Sequence, residues 1–305
     1  MALLSSSISV TAANCREYIC VQVFGGLGNQ MFQLAAGLAQ AHRLQVGLLV
    51  DPVNSERLAH ANFGLDAFRL DVAPWSAAEA QTRRSLFGRF RKSGIKTRFT
   101  QWPGSVFRQQ GQAYDPSIDA ILPGTYIAGY FQSDLFFQSA AGVVRQAFAL
   151  DHVAANLDHS ILTALDETPH VAVHIRRGDY AADPKTAATH GLLGEAYYQQ
   201  ARRFMERLVP NARYIVFSDD LEAAAAMTSG WCGCTVTPGR DRNEDLYLMS
   251  RCRHHIIANS TFSWWGAWLA QSENQVVIAP RRWFSRPQML TTYTDDICPK
   301  GWLLL

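Results

Sequence analysis

The stretch EYICVQVFGGLGNQMFQLAAGLAQAHRLQVGLLVD, residues 17 to 51, carries the pattern that predicts the fold. Tyr18 to Phe24 is largely apolar and predicts a strand, which ends in a cluster of glycines. The following segment predicts a helix, and Val46 to Val50 predicts a second strand. The helix would bury one apolar face, formed by Met31, Leu34, Ala35, Leu38 and Ala41. A strand, a helix and a strand in this order form a βαβ unit, which implies a parallel sheet.

The second half of the chain repeats this alternation. Strands are predicted at Val171 to Ile175 and within RYIVFSDD, HHIIAN and QVVIAP. Helices are predicted at Glu195 to Leu208 and within LEAAAAMT, NEDLYLMSRC and STFSWWGAWLAQ. The apolar face of the first of these helices consists of Tyr198, Ala201, Met205 and Leu208. Residues 170 to 280 therefore predict a second, doubly wound α/β unit.

Composition narrows the class of protein. The 305 residues are 48% hydrophobic, which is enough for two domains or one large one. A formal net charge of +2 is too small to indicate a nucleic-acid partner. The sequence contains no run of 18 apolar residues, so no transmembrane helix is predicted. Residues 1 to 15 lack the basic start of a signal peptide. We therefore expect a cytoplasmic protein with a disordered N-terminal extension.

The cysteines indicate neither a zinc site nor a disulfide framework. WCGC has one residue between its cysteines, and no second pair at zinc spacing follows it. Buried or half-exposed reduced thiols are the expectation for a cytosolic protein. The six cysteines are Cys15, Cys20, Cys232, Cys234, Cys252 and Cys298.

A basic segment interrupts the first half. Between Pro74 and Gln112 the only acid is Glu79. Two interpretations are open: a solvated helical insertion, or a surface for acidic lipid headgroups or an anionic acceptor carrier. The basic residues are Arg83, Arg84, Arg89, Arg91, Lys92, Lys96, Arg98 and Arg108.

The stretch VAVHIRRGDY, residues 171 to 180, concentrates charge where a buried strand ends. Ligands of doubly wound sheets bind outside the carboxyl ends of the strands. The planar guanidinium groups of Arg176 and Arg177 suit phosphate oxygens, and two of them would neutralise a diphosphate. The alternative is a pair of arginines bound to surface carboxylates.

Two further segments suit an anionic ligand. The glycine loop GGLGNQ precedes a helix N-terminus, although it matches neither the dinucleotide fingerprint nor the P-loop, and a plain tight turn would explain it equally well. In NSTFSWWGAWLA, the hydroxyl residues before the helix would cap it and bind phosphate. Its tryptophans would form an interdomain core or stack on sugars and bases.

One absence concerns metal ions. No two aspartates are separated by a single residue, which is the acid pair that typically holds a divalent cation on a nucleotide diphosphate. We therefore expect no metal, and phosphates neutralised by arginines and helix ends.

Together the motifs resemble glycosyltransferase family 11, the α-1,2-fucosyltransferases. They are GGLGNQMFQ, GYFQSDLFF, VAVHIRRGDY, VFSDD, HHIIANSTFSWWGAWLA and IAPRRWF, in this order, with DDICPKGWLLL at the end. The resemblance implies an α/β GT-B enzyme, with two Rossmann-like domains facing across a cleft. It also implies inverting, metal-independent transfer of fucose from GDP-β-L-fucose to O2 of a terminal β-galactose, without a cofactor.

The resemblance also implies roles for individual residues. Arg176 would contact the β-phosphate and stabilise the leaving GDP, with Arg177 in support. His174 would touch the nucleoside or shape the pocket, and Asp245 would accept hydrogen bonds from guanine. Ser260, Thr261, Phe262 and Ser263 would cradle phosphate and base. Gly26, Gly28 and Asn29 would face donor and acceptor across the cleft.

The general base is not determined. Asp179, Asp183 and Glu195 follow the arginines at plausible reach, and the proton could also pass to the leaving phosphate. For Asp179 we favour a salt bridge that orients the arginines over the role of general base. Arg176 and Asp179 are the predicted catalytic residues.

The predicted organisation has four parts. Residues 1 to 16 form the disordered extension, and residues 17 to 150 form an acceptor-side domain with a basic helical insertion at 74 to 112. Residues 151 to 305 form the GDP-fucose-binding domain, whose last residues cross back to the first domain. A helical connection spans residues 148 to 170.

The last expectations concern the binding partners and the alternative functions. The partners would be GDP-fucose and a galactose-terminated glycan, free or lipid-linked, with peripheral contact to an acidic inner membrane surface. One rival is a fucosyltransferase of another linkage or acceptor. The other is a catalytically silent protein that binds a glycan or a GDP-sugar.

Overall fold

The structure is a computed structural model that describes residues 13–52, 64–68, 70, 72–75, 102–177, 191–284 and 294–305. The chain divides into two compact units, Met1–Ala149 and Leu150–Leu305. Each unit contains its own parallel sheet flanked by helices, so the predicted α/β class and the two Rossmann-like halves are observed. The predicted boundary after residue 150 falls one residue from this division.

The first unit contains a five-stranded sheet in the order β3-β2-β1-β5-β4, and every pairing is parallel. The strands are β1 (Tyr18–Val23), β2 (Gly47–Pro52), β3 (Ala73–Pro74), β4 (Ser105–Arg108) and β5 (Thr125–Ala128). The chain winds outward from β1 to β2 and β3, then forms the opposite edge strand β4 and returns to β5, which lies beside β1. The loops after β1 and β5 therefore lie at the switch point, where sheets of this kind bind ligands.

The described part of this unit contains two α-helices, α1 (Leu27–Leu44) and α2 (Ala141–Ala147). Helix α1 packs on β1 and β2, and α2 packs against α1. Helix α1 follows the glycine loop as predicted, but it is buried over nearly its whole surface. A Cβ at Gly37 would lie 3.0 Å from side-chain atoms of Val21 and Leu48, so this glycine lets the helix approach the sheet closely.

Two predictions about this unit are wrong in part. Residues 15 to 17 form a 3₁₀ helix, and Cys15 is buried, so the extension predicted as disordered to residue 16 is ordered at its end. The predicted helical insertion at 74 to 112 includes strand residues at both ends, because Ala73–Pro74 and Ser105–Arg108 pair in the sheet. Residues 76 to 101, which carry most of the basic side chains, lie outside the described residues.

The second unit contains a six-stranded parallel sheet in the order β11-β10-β9-β6-β7-β8. The strands are β6 (His170–Ile175), β7 (Arg213–Ser218), β8 (Cys234–Val236), β9 (His254–Ile256), β10 (Val277–Ala279) and β11 (Leu303–Leu304). Numbered within the unit, the order is 3-2-1-4-5-6, which is that of the dinucleotide-binding fold. Its switch point lies between β6 and β9.

Five α-helices belong to the described part of this unit. They are α3 (His159–Glu167), α4 (Glu195–Leu208), α5 (Leu221–Met227), α6 (Arg242–Arg251) and α7 (Thr261–Leu269). Helix α4 has the predicted bounds and buries Tyr198, Ala201 and Met205. Leu208 was predicted on the same buried face, but it is the last residue of the helix and is 50% exposed.

The tryptophans of helix α7 belong to the core of the second unit. Trp264 and Trp265 have no exposed surface, and Trp268 is 7% exposed. The Trp264 ring lies 5.0 Å from that of Trp265, and its Nε1 donates a hydrogen bond of 2.7 Å to the Ile297 carbonyl. Burial of this kind leaves no ring face for a sugar or base, so the stacking interpretation is wrong.

The C-terminal residues stay in the second unit. Strand β11 pairs with β10, and the Leu305 N–H donates to the Ala279 carbonyl. The prediction that the last residues cross back to the first unit is therefore wrong. Among the described residues, no helix combines the length and apolarity needed to cross a bilayer.

The cysteines are all free thiols. Cys15, Cys20 and Cys252 are buried, and Cys234 and Cys298 are partly buried, as expected. Cys232 is exposed, which contradicts the prediction for this residue.

Candidate active site

The charged cluster at the end of β6 is organised by a carboxylate from the neighbouring strand. Ile175 pairs with Ser218 in the parallel ladder, so the residues that follow the two strands emerge side by side. Arg176 Nη1 lies 3.1 Å from Asp219 Oδ2, and the Arg177 backbone N–H donates to Asp219 Oδ1 at 2.8 Å. One carboxylate thus orients the Arg176 guanidinium group and holds the backbone of Arg177.

Arg177 keeps hydrogen-bonding capacity in this arrangement. Its Nε lies 4.0 Å from Asp220 Oδ2, which is too long for a hydrogen bond. In the part of the chain that the structure describes, this buried N–H has no hydrogen-bond partner. Since an unpaired N–H of a cation is costly to bury, an anionic ligand would stabilise it.

His174 forms the inner wall of the cluster. The residue is 4% exposed, its carbonyl accepts a hydrogen bond from the Tyr198 hydroxyl at 3.1 Å, and its ring lies 5.8 Å from that of Phe262. Burial, aided by the positive charge of Arg176 and opposed by Asp219, lowers the pKa of His174 to about 3. The imidazole is therefore neutral near pH 7 and does not compete with the arginines for an anion.

The N-terminus of helix α7 faces the same switch point, because it follows β9. Ser260 is the N-cap residue, and its side chain makes no capping hydrogen bond within the described residues. Thr261 and Phe262 are partly buried. Ser263 is 1% exposed and its hydroxyl donates to the Ser260 carbonyl at 3.2 Å, so the geometry gives no support for a ligand contact by this side chain.

Asp245 lies in the first turn of helix α6. Its Oδ1 is buried and has no hydrogen-bond partner among the described residues. Burial raises the pKa of Asp245 to about 6; Arg240 opposes the shift, while Glu244 and Asp241 add to it. An unpaired carboxylate oxygen of this kind is able to accept hydrogen bonds from a ligand's N–H groups.

The predicted general bases are not brought to the cluster by the described part of the structure. Asp179 and Asp183 lie outside the described residues, so the prediction for Asp179 stays a prediction. Glu195 begins helix α4, is exposed, and accepts a hydrogen bond from Gln199 at 3.4 Å. Among the described residues, Asp219 bonds both arginines, and the sequence prediction missed it although VFSDD was among its motifs.

The glycine-loop residues form a separate group in the first unit. Gly25 has a φ of 80°, which glycine adopts without strain, and a Cβ at Gly26 would meet no atom within 4 Å. Gly28 is buried in the first turn of α1. Asn29 is partly buried, and its Oδ1 accepts a hydrogen bond from Gln132 Nε2 at 2.8 Å.

The switch point of the second unit thus combines a neutral histidine, two oriented arginines and a helix N-terminus. These are groups that bind phosphate oxygens and stabilise charge that develops on them. Within the described ranges, no three His, Cys, Asp or Glu side chains are grouped to hold a metal ion. Fold and site together define a Rossmann-like protein suited to a phosphorylated ligand.

Comparison with known proteins gives the family. The model of glycosyl transferase family 11 matches residues 4–305, and the chain belongs to this family. The Escherichia coli alpha-1,2-colitosyltransferase is 30% identical, over 93% of this chain and 98% of that protein. The O-antigen biosynthesis glycosyltransferase WbnK of Escherichia coli is 28% identical, over 88% of this chain and 95% of that protein.

More distant similarities extend to animal enzymes and to solved structures. The Bos taurus galactoside 2-alpha-L-fucosyltransferase SEC1 is 26% identical, over 49% of this chain and 44% of that protein. The crystal structure of NodZ alpha-1,6-fucosyltransferase soaked with GDP-fucose has a TM-score of 0.43 and 14% identity, over 83% of this chain and 92% of that chain.

Proposed function

We propose that this protein transfers L-fucose from GDP-β-L-fucose to O2 of a terminal β-galactose, with inversion and without a metal ion. Membership of family 11 supports a nucleotide-sugar donor. The observation that carries the proposal is the pair Arg176 and Arg177, oriented by Asp219 at the switch point of the second unit. In this proposal the two guanidinium groups supply the charge that a metal ion would otherwise provide to a diphosphate.

The proposed reaction places charge where the arginines lie. The bond between fucose C1 and the β-phosphate oxygen breaks as a bond from C1 to galactose O2 forms on the opposite face. GDP departs with the bonding electrons, and Arg176 stabilises the added negative charge. The proton of galactose O2 passes to a carboxylate, for which Asp179 is the predicted candidate, or to the leaving phosphate. Asp245 accepts hydrogen bonds from guanine N1 and N2.

A second donor has a specific observation in its favour. The relative that matches 98% of its own length is named for colitose transfer. Colitose is 3-deoxyfucose, so a GDP-colitose donor would present the same diphosphate and guanine to Arg176 and Asp245. The contacts at the switch point therefore support either sugar, and a direct comparison of the two donors decides between them.

The first experiment measures GDP release with GDP-fucose and with GDP-colitose, in EDTA, using lactose, N-acetyllactosamine and β-1,3-linked galactose disaccharides. We expect release that depends on the galactoside, and NMR of the product should show an α linkage at galactose O2. A requirement for added metal would contradict the metal-independent mechanism. No transfer to any of these galactosides would contradict the proposed acceptor.

Variants connect this activity to the cluster. Arg176→Ala should lower kcat by about 10²–10³, as the loss of one donor to a developing oxyanion does. Asp219→Asn keeps the shape of the residue but removes the charge that orients the arginines, so we expect a smaller loss, about tenfold to a hundredfold. The controls are Arg251→Ala and Asp166→Asn, which break an exposed ion pair elsewhere in the second unit. Equal activity of Arg176→Ala and Arg251→Ala would contradict the assignment.

Two parts of the proposal concern residues outside the described ranges. A role for Asp179 predicts that Asp179→Asn lowers turnover, and near-normal turnover would exclude it both as base and as salt-bridge partner. Peripheral contact with an acidic membrane surface rests on the basic residues between positions 83 and 98. Retention of the protein by anionic liposomes at low salt tests it.

A further inference from the structure

The loop after β5 contains a strained residue at the switch point of the first unit. Phe131 has a φ of 54°, in the left-handed region, and has no exposed surface. A bulky residue in this conformation is strained and persists only where its surroundings impose it. Strain of this kind is concentrated at binding and catalytic sites. The residues that impose the conformation, and the side chains that it positions, therefore indicate where a ligand would bind.

The conformation is imposed by a buried side chain. Gln109 Oε1 accepts hydrogen bonds from the backbone N–H groups of Tyr130, at 3.0 Å, and Phe131, at 2.9 Å. Its Nε2 donates to the carbonyls of Gln112 and Ala113, at 3.3 and 3.1 Å. Both ends of this amide are thus occupied, and the loop cannot relax without losing hydrogen bonds at buried groups.

The residue before the strained turn confirms how tightly Gln109 packs. A Cβ at Gly129 would lie 2.6 Å from the Cβ of Gln109, so only glycine fits between this side chain and the loop. Gln109 is itself 8% exposed. The position of the loop is therefore fixed by packing as well as by hydrogen bonds.

The fixed loop presents an aromatic side chain to solvent. Tyr130 is 39% exposed, and its ring meets that of Phe24 edge to face, with 5.0 Å between centroids. Phe24 follows β1, on the other side of the switch point, and its N–H donates to the buried Gln33 Oε1 at 2.8 Å. Buried glutamines therefore hold the backbone on both sides of this ring pair.

A pair of amides follows the two rings in the sequence, Gln132 in the loop after β5 and Asn29 in the first turn of α1. Gln132 Nε2 donates to Asn29 Oδ1 at 2.8 Å. Gln132 Oε1 is buried and accepts no hydrogen bond from the described residues. A buried carbonyl oxygen without a donor destabilises the fold, and a hydrogen bond from one hydroxyl group of a ligand would offset this cost.

We propose that the rings of Phe24 and Tyr130 and the amides of Asn29 and Gln132 form the subsite for the acceptor galactose, which Gln109 holds in place. Aromatic faces pack against the C–H face of a sugar ring, and amides donate to and accept from its hydroxyl groups. None of the four side chains is charged, which suits a neutral sugar and not a diphosphate. This inference rests on the proposed function, because it names the acceptor residues of that reaction.

The test compares the Michaelis constants for the two substrates. We expect Tyr130→Ala and Gln132→Ala each to raise the KM for lactose by about tenfold, the usual effect of removing a ring or an amide from a binding site. The KM for GDP-fucose and its slow hydrolysis without acceptor should not change. Gln110→Ala and Leu122→Ala are the controls, because both residues are exposed in the same unit.

Gln109 is a positioning residue, and its variant needs a readout that stability alone would not move. Gln109→Ala should raise the KM for lactose as strongly as Tyr130→Ala, while hydrolysis of GDP-fucose continues at the normal rate. A loss of both activities together, with a fall in Tm, would show a general structural role and would contradict selective positioning of the subsite.

A binding measurement separates failure of the subsite from failure of the proposed function. Saturation-transfer NMR with methyl β-D-galactoside should give signals with the wild-type protein that Gln132→Ala weakens and Gln110→Ala does not. If transfer to galactosides is observed but Tyr130→Ala and Gln132→Ala leave the KM for lactose unchanged, the subsite is wrong and the function stands. If the wild-type protein neither binds nor fucosylates galactosides, both are wrong.

Discussion

At the scale of single residues, Asp219 shows what the order of residues along a chain conceals. The sequence places Asp179 nearest to the arginines and predicts it as their partner. In the structure a carboxylate 42 positions beyond Arg177 also reaches the arginines, because parallel pairing of β6 and β7 brings two strand ends together; Asp179 itself lies outside the described residues. The signal was present as VFSDD, an acid pair directly after a predicted strand. Using it required knowing which strands are neighbours.

Backbone conformation was the other unpredictable part of the sites. Nothing in GYFQSDLFF indicates that Phe131 adopts a positive φ, because phenylalanine rarely does so. The conformation results from Gln109, whose hydrogen bonds to this loop depend on the pairing of β4 with β5. Local propensity could not have shown it.

The raised pKa of Asp245 predicts how donor binding depends on pH. In the proposed donor site guanine would need the carboxylate form of Asp245, and below about pH 6 the fraction of that form falls tenfold with each pH unit. We therefore expect kcat/KM for GDP-fucose to fall on the acid side of pH 6, while kcat changes less, because bound guanine favours ionised Asp245. Initial rates between about pH 5 and 8 measure both quantities.

Two variants identify the titrating group. Asp245→Asn should give lower activity without the acid limb. Glu244→Gln removes a negative neighbour that raises the pKa of Asp245, so it should move the limb to lower pH without abolishing it. His174 does not account for the limb, because its pKa is about 3. An acid limb that persists in Asp245→Asn would show that another group controls donor binding.

At the scale of elements, the sequence predicted those that are long or strongly patterned. The strands β1, β6 and β7 each have six residues, and the apolar stripe of α4 repeats over 14 residues. Five strands were missed: β3, β4, β5, β8 and β11 have between two and four residues. Segments this short contain too few positions to show a period of two, and only pairing with neighbours defines them as strands.

Contact between helices α6 and α7 depends on a glycine. A Cβ at Gly266 would lie 2.7 Å from the Cβ of Met249, which the backbone of α6 holds in place. Overpacking costs about 1–3 kcal/mol, whereas alanine gains at most about 1 kcal/mol in helix propensity. We expect Gly266→Ala to destabilise the second unit by about 1 kcal/mol, which lowers Tm by about 2–4 °C in calorimetry.

A second helical glycine provides the matched control. A Cβ at Gly142, in α2, would meet no atom within 4 Å. Gly142→Ala should therefore gain helix propensity without a clash and raise stability by about 0.5–1 kcal/mol. If both variants shift Tm in the same direction, close helix packing is not the reason for glycine at position 266.

At the scale of the whole molecule, one βαβ pattern predicted the kind of sheet but not the strand order. Residues 17 to 51 form β1, α1 and β2 as expected, and β1 pairs in parallel with β2. The orders β3-β2-β1-β5-β4 and β8-β7-β6-β9-β10-β11 depend on crossovers between distant segments. Such crossovers leave no local signal, yet they define both switch points.

Strand β11 forms one edge of the second sheet, so its deletion should destabilise the second unit and leave the first unit unchanged. Strand β11 covers the edge of β10, and the Trp302 ring lies 5.6 Å from that of Trp264 in the core. We expect deletion of residues 301–305 to reduce hydrogen-exchange protection in β9, β10 and α7, because both contacts are lost. Protection in β1, β2 and α1 should be retained. Equal loss of protection in both units would contradict a purely local role for β11.

The glutamines that fix the loops of the first unit affect how ligand binding there would depend on salt concentration. Gln109, Gln33 and Gln132 act through neutral amides, whereas the arginines of the second unit act through charge. Dissolved ions screen exposed charges within about 10 Å at 0.1 M and leave neutral hydrogen bonds largely unchanged. We therefore expect rising ionic strength to weaken binding of the proposed diphosphate donor and to leave binding of the proposed neutral acceptor largely unchanged. The affinities for the two proposed substrates would then depend differently on salt concentration, although both belong to one reaction.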